Sequence, residues 1–188
     1  MKKASLLFAI LFFVPLCASA QPVSPYMALR AGATKIKASS YFVNDRKDTV
    51  PFISVAAGLE NGGFFRIEAE NMYLSKAKFG YDSVAMKVTG KSHAFMLNAY
   101  LNFSTKTPFT PFVGFGVGSA SNYIKADTKG KWSTDFAFNI GGGVSIKASE
   151  YLNIEVAYRY IYLGEADNGT TSVDYRANQF YGGLRYMF

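Results

Sequence analysis

The chain has one cysteine, Cys17, and one histidine, His93. An intrachain disulfide framework is therefore excluded, and a metal or nucleophile–base centre built on His and Cys has almost no material. Beyond residue 20 no apolar run reaches the roughly 20 residues that a membrane-spanning helix requires. Acid is also scarce, with 13 Asp and Glu against 20 Lys and Arg, for a formal net charge of +7. What the chain does have is aromatic side chain and glycine: 17 Phe, 13 Tyr and 17 Gly. Together with the missing spanning helix, that composition points to a β protein.

The N-terminus reads as an export signal. Lys2 and Lys3 open it, Ala4 to Leu16 is apolar, and Ala18-Ser19-Ala20 is an A-x-A cleavage site. The expected organisation is a signal peptide over 1–20 and one domain over 21–188. Lipidation of Cys17 is disfavoured, because Pro15 and Leu16 precede it where small residues would be needed. Cleavage would remove the thiol and lower the net charge to +5.

The remainder reads as eight alternating segments separated by turn residues. They fall near 25–35, 51–60, 64–74, 92–103, 110–120, 134–147, 151–163 and the C-terminal stretch Phe180–Phe188. Each has one apolar face. Met27, Leu29, Ala31 and Ala33 share a face in the first; Phe95, Leu97, Ala99, Leu101 and Phe103 in the fourth; Phe180, Leu184, Tyr186 and Phe188 in the last. Asn71 falls among the apolar positions of the third segment and predicts a local bulge there. The connections alternate in length. After segments two, four and six they are short (61–63, 104–109, 148–150), and after one, three, five and seven they run about ten to seventeen residues. Short turns at one end and long loops at the other suit a closed barrel threaded through a membrane, with polar residues inside and apolar ones facing lipid.

The basic residues sort by type. Four of six arginines, Arg30, Arg66, Arg159 and Arg185, fall mid-segment on the inward face, and the lysines beyond the leader fall in loops or near segment ends. The arginine fork suits a buried network with Glu68, Glu70, Asp135 and Glu155 as candidate partners. Eight strands leave an interior just wide enough for side chains, and Gly114, Gly116, Gly141 and Gly143 would give Arg and Glu room to reach across.

Three stretches resemble the small eight-stranded outer-membrane barrels, of the opacity-protein-like surface antigen and OmpA transmembrane-domain type. They are Thr110–Gly118, Leu152–Tyr160 and the last nine residues. The resemblance implies an all-β, eight-stranded antiparallel up-and-down transmembrane barrel in the outer membrane of a Gram-negative bacterium. It implies membrane lipid and lipopolysaccharide as surroundings, and the barrel-assembly machinery reading Tyr186 and Phe188 as its signal.

No enzyme is expected, and no catalytic, cofactor or metal site. Ser92 and His93 are adjacent, so their side chains point to opposite faces and cannot form a hydroxyl–base pair. Gly114-x-Gly116-x-Gly118 lies inside an alternating strand with no following helix, which is the wrong context for a phosphate loop. The long loops carry the candidate contacts: Lys76, Lys78, Lys87 and Lys91 in the second, and Lys125, Lys129 and Lys131 in the third. They suit either a host receptor or anionic glycan, or the phosphates of lipopolysaccharide; nucleic acid is not a partner of a surface protein. Function then reads as an adhesin or surface antigen displaying four loops. The alternatives are a structural envelope protein and, ranked last, a small channel.

Overall fold

The computed structural model describes residues 22–40, 43–80, 87–126, 129–167 and 172–188. It contains eight strands: β1 (Val23–Ser40), β2 (Val43–Asn61), β3 (Phe65–Gly80), β4 (Lys87–Asn102), β5 (Phe109–Ala126), β6 (Lys129–Lys147), β7 (Leu152–Asp167) and β8 (Ser172–Met187). Each pairs antiparallel with its neighbour in sequence, and β8 closes on β1 through pairs such as Leu29↔Leu184. This is the closed up-and-down barrel that the alternation predicted.

The period of two explains the burial. On β1, Tyr26, Ala28, Arg30 and Thr34 are buried while Met27 and Leu29 are about half exposed, at 55% and 49%. The same holds around the wall, where Ile53, Val55, Ile67, Leu97, Val113, Phe115, Ile140 and Leu184 all face outward. Such a surface is stable only in hydrocarbon, where an outward apolar side chain has no water to order. At the short-turn end, Phe64, Phe103, Phe109, Tyr151, Tyr186 and Phe188 form an aromatic ring around the rim, with Tyr186 seated between Tyr151 and Phe188 at 6.3 and 5.2 Å. The Gly62-Gly63 turn uses φ values of 55° and 75°, which side chains resist.

Three expectations need correction. The long connections are largely strand. Between the strands only 41–42, 81–86, 127–128 and 168–171 remain, and these lie outside the described residues. The hydrophobic alternation stops where lipid stops, but backbone hydrogen bonding does not need it, so the hairpins continue into water. Secondly, Asn71 carries no bulge. It pairs in register with Val55 and Phe95, and the irregularity in β3 comes later, between Leu74 and Ala77. Thirdly, the interior is polar only in part, as described below.

The hairpin end also divides. The β2–β3 ladder ends at Phe52↔Leu74, next to Pro51, which has no N–H to donate. The β6–β7 ladder ends at Phe138↔Tyr162. The other ladders run on, to Ser39↔Asp174, Ser40↔Val43, Gly80↔Lys87, Thr89↔Lys125, Ala126↔Lys129 and Asp167↔Ser172. Among the described residues, the sheet therefore splits above the barrel into two four-stranded leaves, β7–β8–β1–β2 and β3–β4–β5–β6.

Packing inside is tight enough to test. A Cβ on Gly118 would lie 1.9 Å from the Phe95 carbonyl oxygen, so relief would require the β4–β5 ladder to shift. Gly118→Val is expected to abolish the compact form that migrates faster on unheated SDS gels, whereas Ala33→Val on the exposed face leaves it intact. An equally folded Gly118→Val would show that the wall yields more easily than its geometry implies.

Candidate functional site

Strand β3 displays the design of the interior along its inward face. From the short-turn end it presents Arg66, Glu68, Glu70, Met72 and Leu74, all buried. The first three belong to a charged layer and the last two to an apolar one.

In the charged layer four guanidiniums meet four carboxylates. Arg30 grips Glu68 with two parallel bonds, NH1 to Oε1 at 2.6 Å and NH2 to Oε2 at 2.8 Å. Tyr26 and Tyr100 each donate a hydroxyl to Glu68 at 2.9 Å, and the Asn98 amide donates to both Glu68 and Glu70, at 3.1 and 2.9 Å. Arg159 holds Glu70 at 2.7 and 3.1 Å while its Nε donates to Gln179 at 2.6 Å. Gln179 passes the chain on to Thr34 at 2.9 Å. Glu155 accepts from Arg66 at 2.5 Å, Arg185 at 2.9 Å and Arg30 at 3.3 Å. Arg185 also pairs with Glu60 and donates to Ser145. These groups come from β1, β2, β3, β4, β6, β7 and β8, so the network ties the wall together across its diameter.

Aromatic rings fill the gaps between ions. The Arg66 guanidinium lies 4.5 Å from the Tyr100 ring centre and 4.9 Å from that of Phe112. Its Nε and NH2 have no hydrogen-bond partner, and these ring faces offer the cation its remaining attraction. Arg159 sits 5.1 Å from Tyr181. The glycines serve these polar neighbours differently from the expectation. Gly114 and Gly116 clear space for the Tyr100 ring and the Asn98 amide, and of the four expected glycines Gly141 alone abuts an arginine, Arg159, while Gly183 abuts Arg30.

Seven of the eight expected interior residues, Arg30, Arg66, Glu68, Glu70, Glu155, Arg159 and Arg185, lie together in this network. Asp135 lies further along β6. It pairs with Ala120 on β5, nearer the hairpin end, with Gly164 against its Cβ. Asn98, Tyr100, Asn139 and Gln179, inward by the same alternation, join the network, while Glu60 and Tyr26 were missed, Glu60 standing at the end of its segment and Tyr26 reading as an aromatic. Their signal was the inward parity they share with the arginines.

Above the ions Ile36, Val50, Leu74, Ala94, Ala120, Ala137, Ile161, Leu163 and Ala177 close the bore with apolar side chains. Below them a polar vestibule of about 350 Å³ opens at the short-turn end, lined by Glu60, Asn102, Ser145 and Arg185. Among the described residues no His, Cys, Asp and Glu group could hold a metal. His93 faces outward, its ring 4.8 Å from that of Tyr73, while Ser92 has the opposite parity. Tyr186 is exposed on the outer face and the Phe188 N–H donates to the Pro25 carbonyl.

The candidate lysines gather on one leaf. Lys76 and Lys78 lie on β3, Lys87 and Lys91 on β4, Lys125 on β5, and Lys129 and Lys131 on β6. They occupy hairpin arms rather than loops, and where their side chains point lies outside the described residues. The β7–β8–β1–β2 leaf mixes Lys35, Lys37, Arg46, Lys47 and Arg176 with Asp45, Asp48, Glu165, Asp167 and Asp174.

Comparison with known proteins agrees with this geometry. The sequence pattern of the family described as "Outer membrane protein beta-barrel domain" matches residues 4–188. The chain is 23% identical to Putative adhesin RC1281 of Rickettsia conorii, over 86% of this chain and 81% of that protein. It is 27% identical to outer membrane protein PagN of Salmonella typhimurium, over 53% and 50%. Among solved structures, Neisserial surface protein A superposes with a TM-score of 0.67 at 19% identity, covering 86% of this chain and 97% of that one. Ail of Yersinia pestis, solved in complex with the heparin analogue sucrose octasulfate, does so at 0.55 and 9% identity, covering 87% and 99%.

Removing one shared carboxylate tests the network. Glu155→Ala leaves Arg66, Arg30 and Arg185 crowded without their common partner and is expected to cost about 3–5 kcal/mol. Urea unfolding in detergent micelles, followed by tyrosine fluorescence, reads this directly. Lys147→Ala on the exposed rim is expected within about 0.5 kcal/mol of the parent, and equal effects from both would mean that pairing does not hold the interior.

Proposed function

The chain belongs to the outer-membrane β-barrel family, and from that premise we propose that it is a surface protein of the adhesin or surface-antigen type, with the β3–β6 leaf as its contact face. The observation that carries this is the collection of seven lysines on that leaf. Four strands at a spacing of about 4.8 Å form a rigid raft, and a raft of cations binds an extended polyanion by many weak contacts at once. Physiological salt screens single charges beyond about 8 Å, so an array succeeds where an isolated lysine does not. The ligand class is a sulfated or otherwise polyanionic glycan. Ail, which shares this fold, has been seen with a sulfated sugar, and the adhesin designation of the Rickettsia relative supports the same direction.

The chain reaches the outer membrane, on this reading, by a cleaved leader over 1–20 and by assembly machinery that recognises Tyr186 and Phe188. The filled bore supports display over transport, and the function is non-enzymatic. Lipopolysaccharide phosphates are the competing counterions for the same lysines.

Folded protein is expected to stay on immobilised heparin at about 0.15 M salt. Changing Lys76, Lys78, Lys125, Lys129 and Lys131 to Gln together should release it, while Arg46→Gln with Lys47→Gln on the other leaf should not. No retention, or loss by both sets alike, removes the glycan reading; retention by lipopolysaccharide alone assigns the leaf to the membrane surface. In planar bilayers the parent barrel is expected to show no steady conductance. A sustained open level would instead promote the channel reading.

A further inference from the structure

On the lipid side of β2–β5 three rows of outward residues lie across the strands. The first is Leu59, Ile67, Ala99 and Phe115; the second is Ala57, Ala69, Leu97 and Val117; the third is Val55, Asn71, Phe95 and Ser119. Ala57, Ala69 and Ala99 floor a hollow of about 430 Å³ whose sides are Leu59, Ile67, Leu97 and Phe115. Asn71 borders it, one pleat beyond Ala69 on the same strand.

Asn71 is exposed and points outward. It stands six residues past Phe65, a rise of roughly 15 Å at ordinary strand rise and tilt, within an apolar band about 25 Å tall. Tyr73 and His93, in ring contact, lie one pleat further out. The amide therefore sits in hydrocarbon, where its donors and acceptor meet no water and a lipid tail offers neither. An unsatisfied amide there is costly, and the continuous ladder through Val55 and Phe95 gives it no backbone vacancy to fill.

A partner that satisfies such a group is a second amide. Small residues let two membrane-embedded surfaces approach closely, and a polar side chain then bonds across the contact. A two-fold axis beside Asn71 would bring the same patch of two copies together, residue on identical residue, with each amide donating to the other's carbonyl oxygen. From this we infer that the chain forms a dimer in the plane of the membrane through the β2–β4 face, with Asn71 paired to Asn71 across the axis and the alanine hollow receiving the partner's apolar side chains. This does not depend on the glycan reading, since the lysine leaf lies beyond the membrane and the hollow within it.

The test uses the full chain, exported into bacterial outer membranes, with Cys17→Ser and Asn71→Cys so that one cysteine remains. Mild oxidation is expected to yield a disulfide-linked dimer. Val156→Cys, outward on β7 at the opposite wall, should give none, and adding Ala69→Phe to fill the hollow should abolish the Asn71→Cys product. In liposomes at falling protein-to-lipid ratio, energy transfer between labelled barrels should report an association about tenfold weaker for Asn71→Leu. A folded Asn71→Cys barrel that stays monomeric overturns the inference, as does cross-linking from Val156→Cys with the same yield. Unchanged association of Asn71→Leu overturns it too, and decides the matter if Asn71→Cys fails to fold. Lipid in the hollow would give these negative results.

Discussion

Charge neutralisation inside a dry bore is the constraint on which the structure depends. Four guanidiniums cannot be enclosed in hydrocarbon unless carboxylates meet them with good geometry, and Glu60, Glu68, Glu70 and Glu155 do so from three positions around the wall. Because Glu68, Glu70 and Glu155 each accept from two or more strands, the strands that carry these ions cannot slip register without stranding a charge. The period of two makes such a slip doubly costly, since it would also turn the apolar face inward.

The apolar layer above this network completes the seal. Isoleucine, leucine and alanine side chains pack across the bore on the hairpin side of the ions, and a polar vestibule lies on the other side. Among the described residues the bore is filled by ions and apolar side chains, and the strands project beyond them as hairpins. There the sheet splits, and β3, β4, β5 and β6, which carry Lys76, Lys78, Lys87, Lys91, Lys125, Lys129 and Lys131, stay hydrogen-bonded as one leaf. The β2–β3 ladder that ends beside Pro51 thus sets one edge of this leaf.

The wall itself is not uniform. Most outward positions between the aromatic rims are simple apolar residues that lipid satisfies. The β2–β4 face departs from this by being hollow and by carrying an amide, and both departures lie within three adjacent rows of one surface.

Much of the barrel was legible in the chain alone. Alternation in eight segments fixed the number of strands and which side of each meets lipid, because side-chain direction reverses at every residue and lipid tolerates only one face. Arg30, Arg66, Arg159 and Arg185 showed the inward face by parity. Three things were decided by tertiary structure. Ion partners depend on which residues face each other across the bore, so Glu60 joined the network and Asp135 came to lie nearer the hairpin end. The apolar plug was hidden because Val50, Phe52, Met72 and Leu74 occupy the inward face where polarity was expected, and a filled bore accepts either kind of side chain once water is gone. Strand length beyond the membrane was hidden as well, because hairpin hydrogen bonds leave no hydrophobic period in the sequence when both faces are wet.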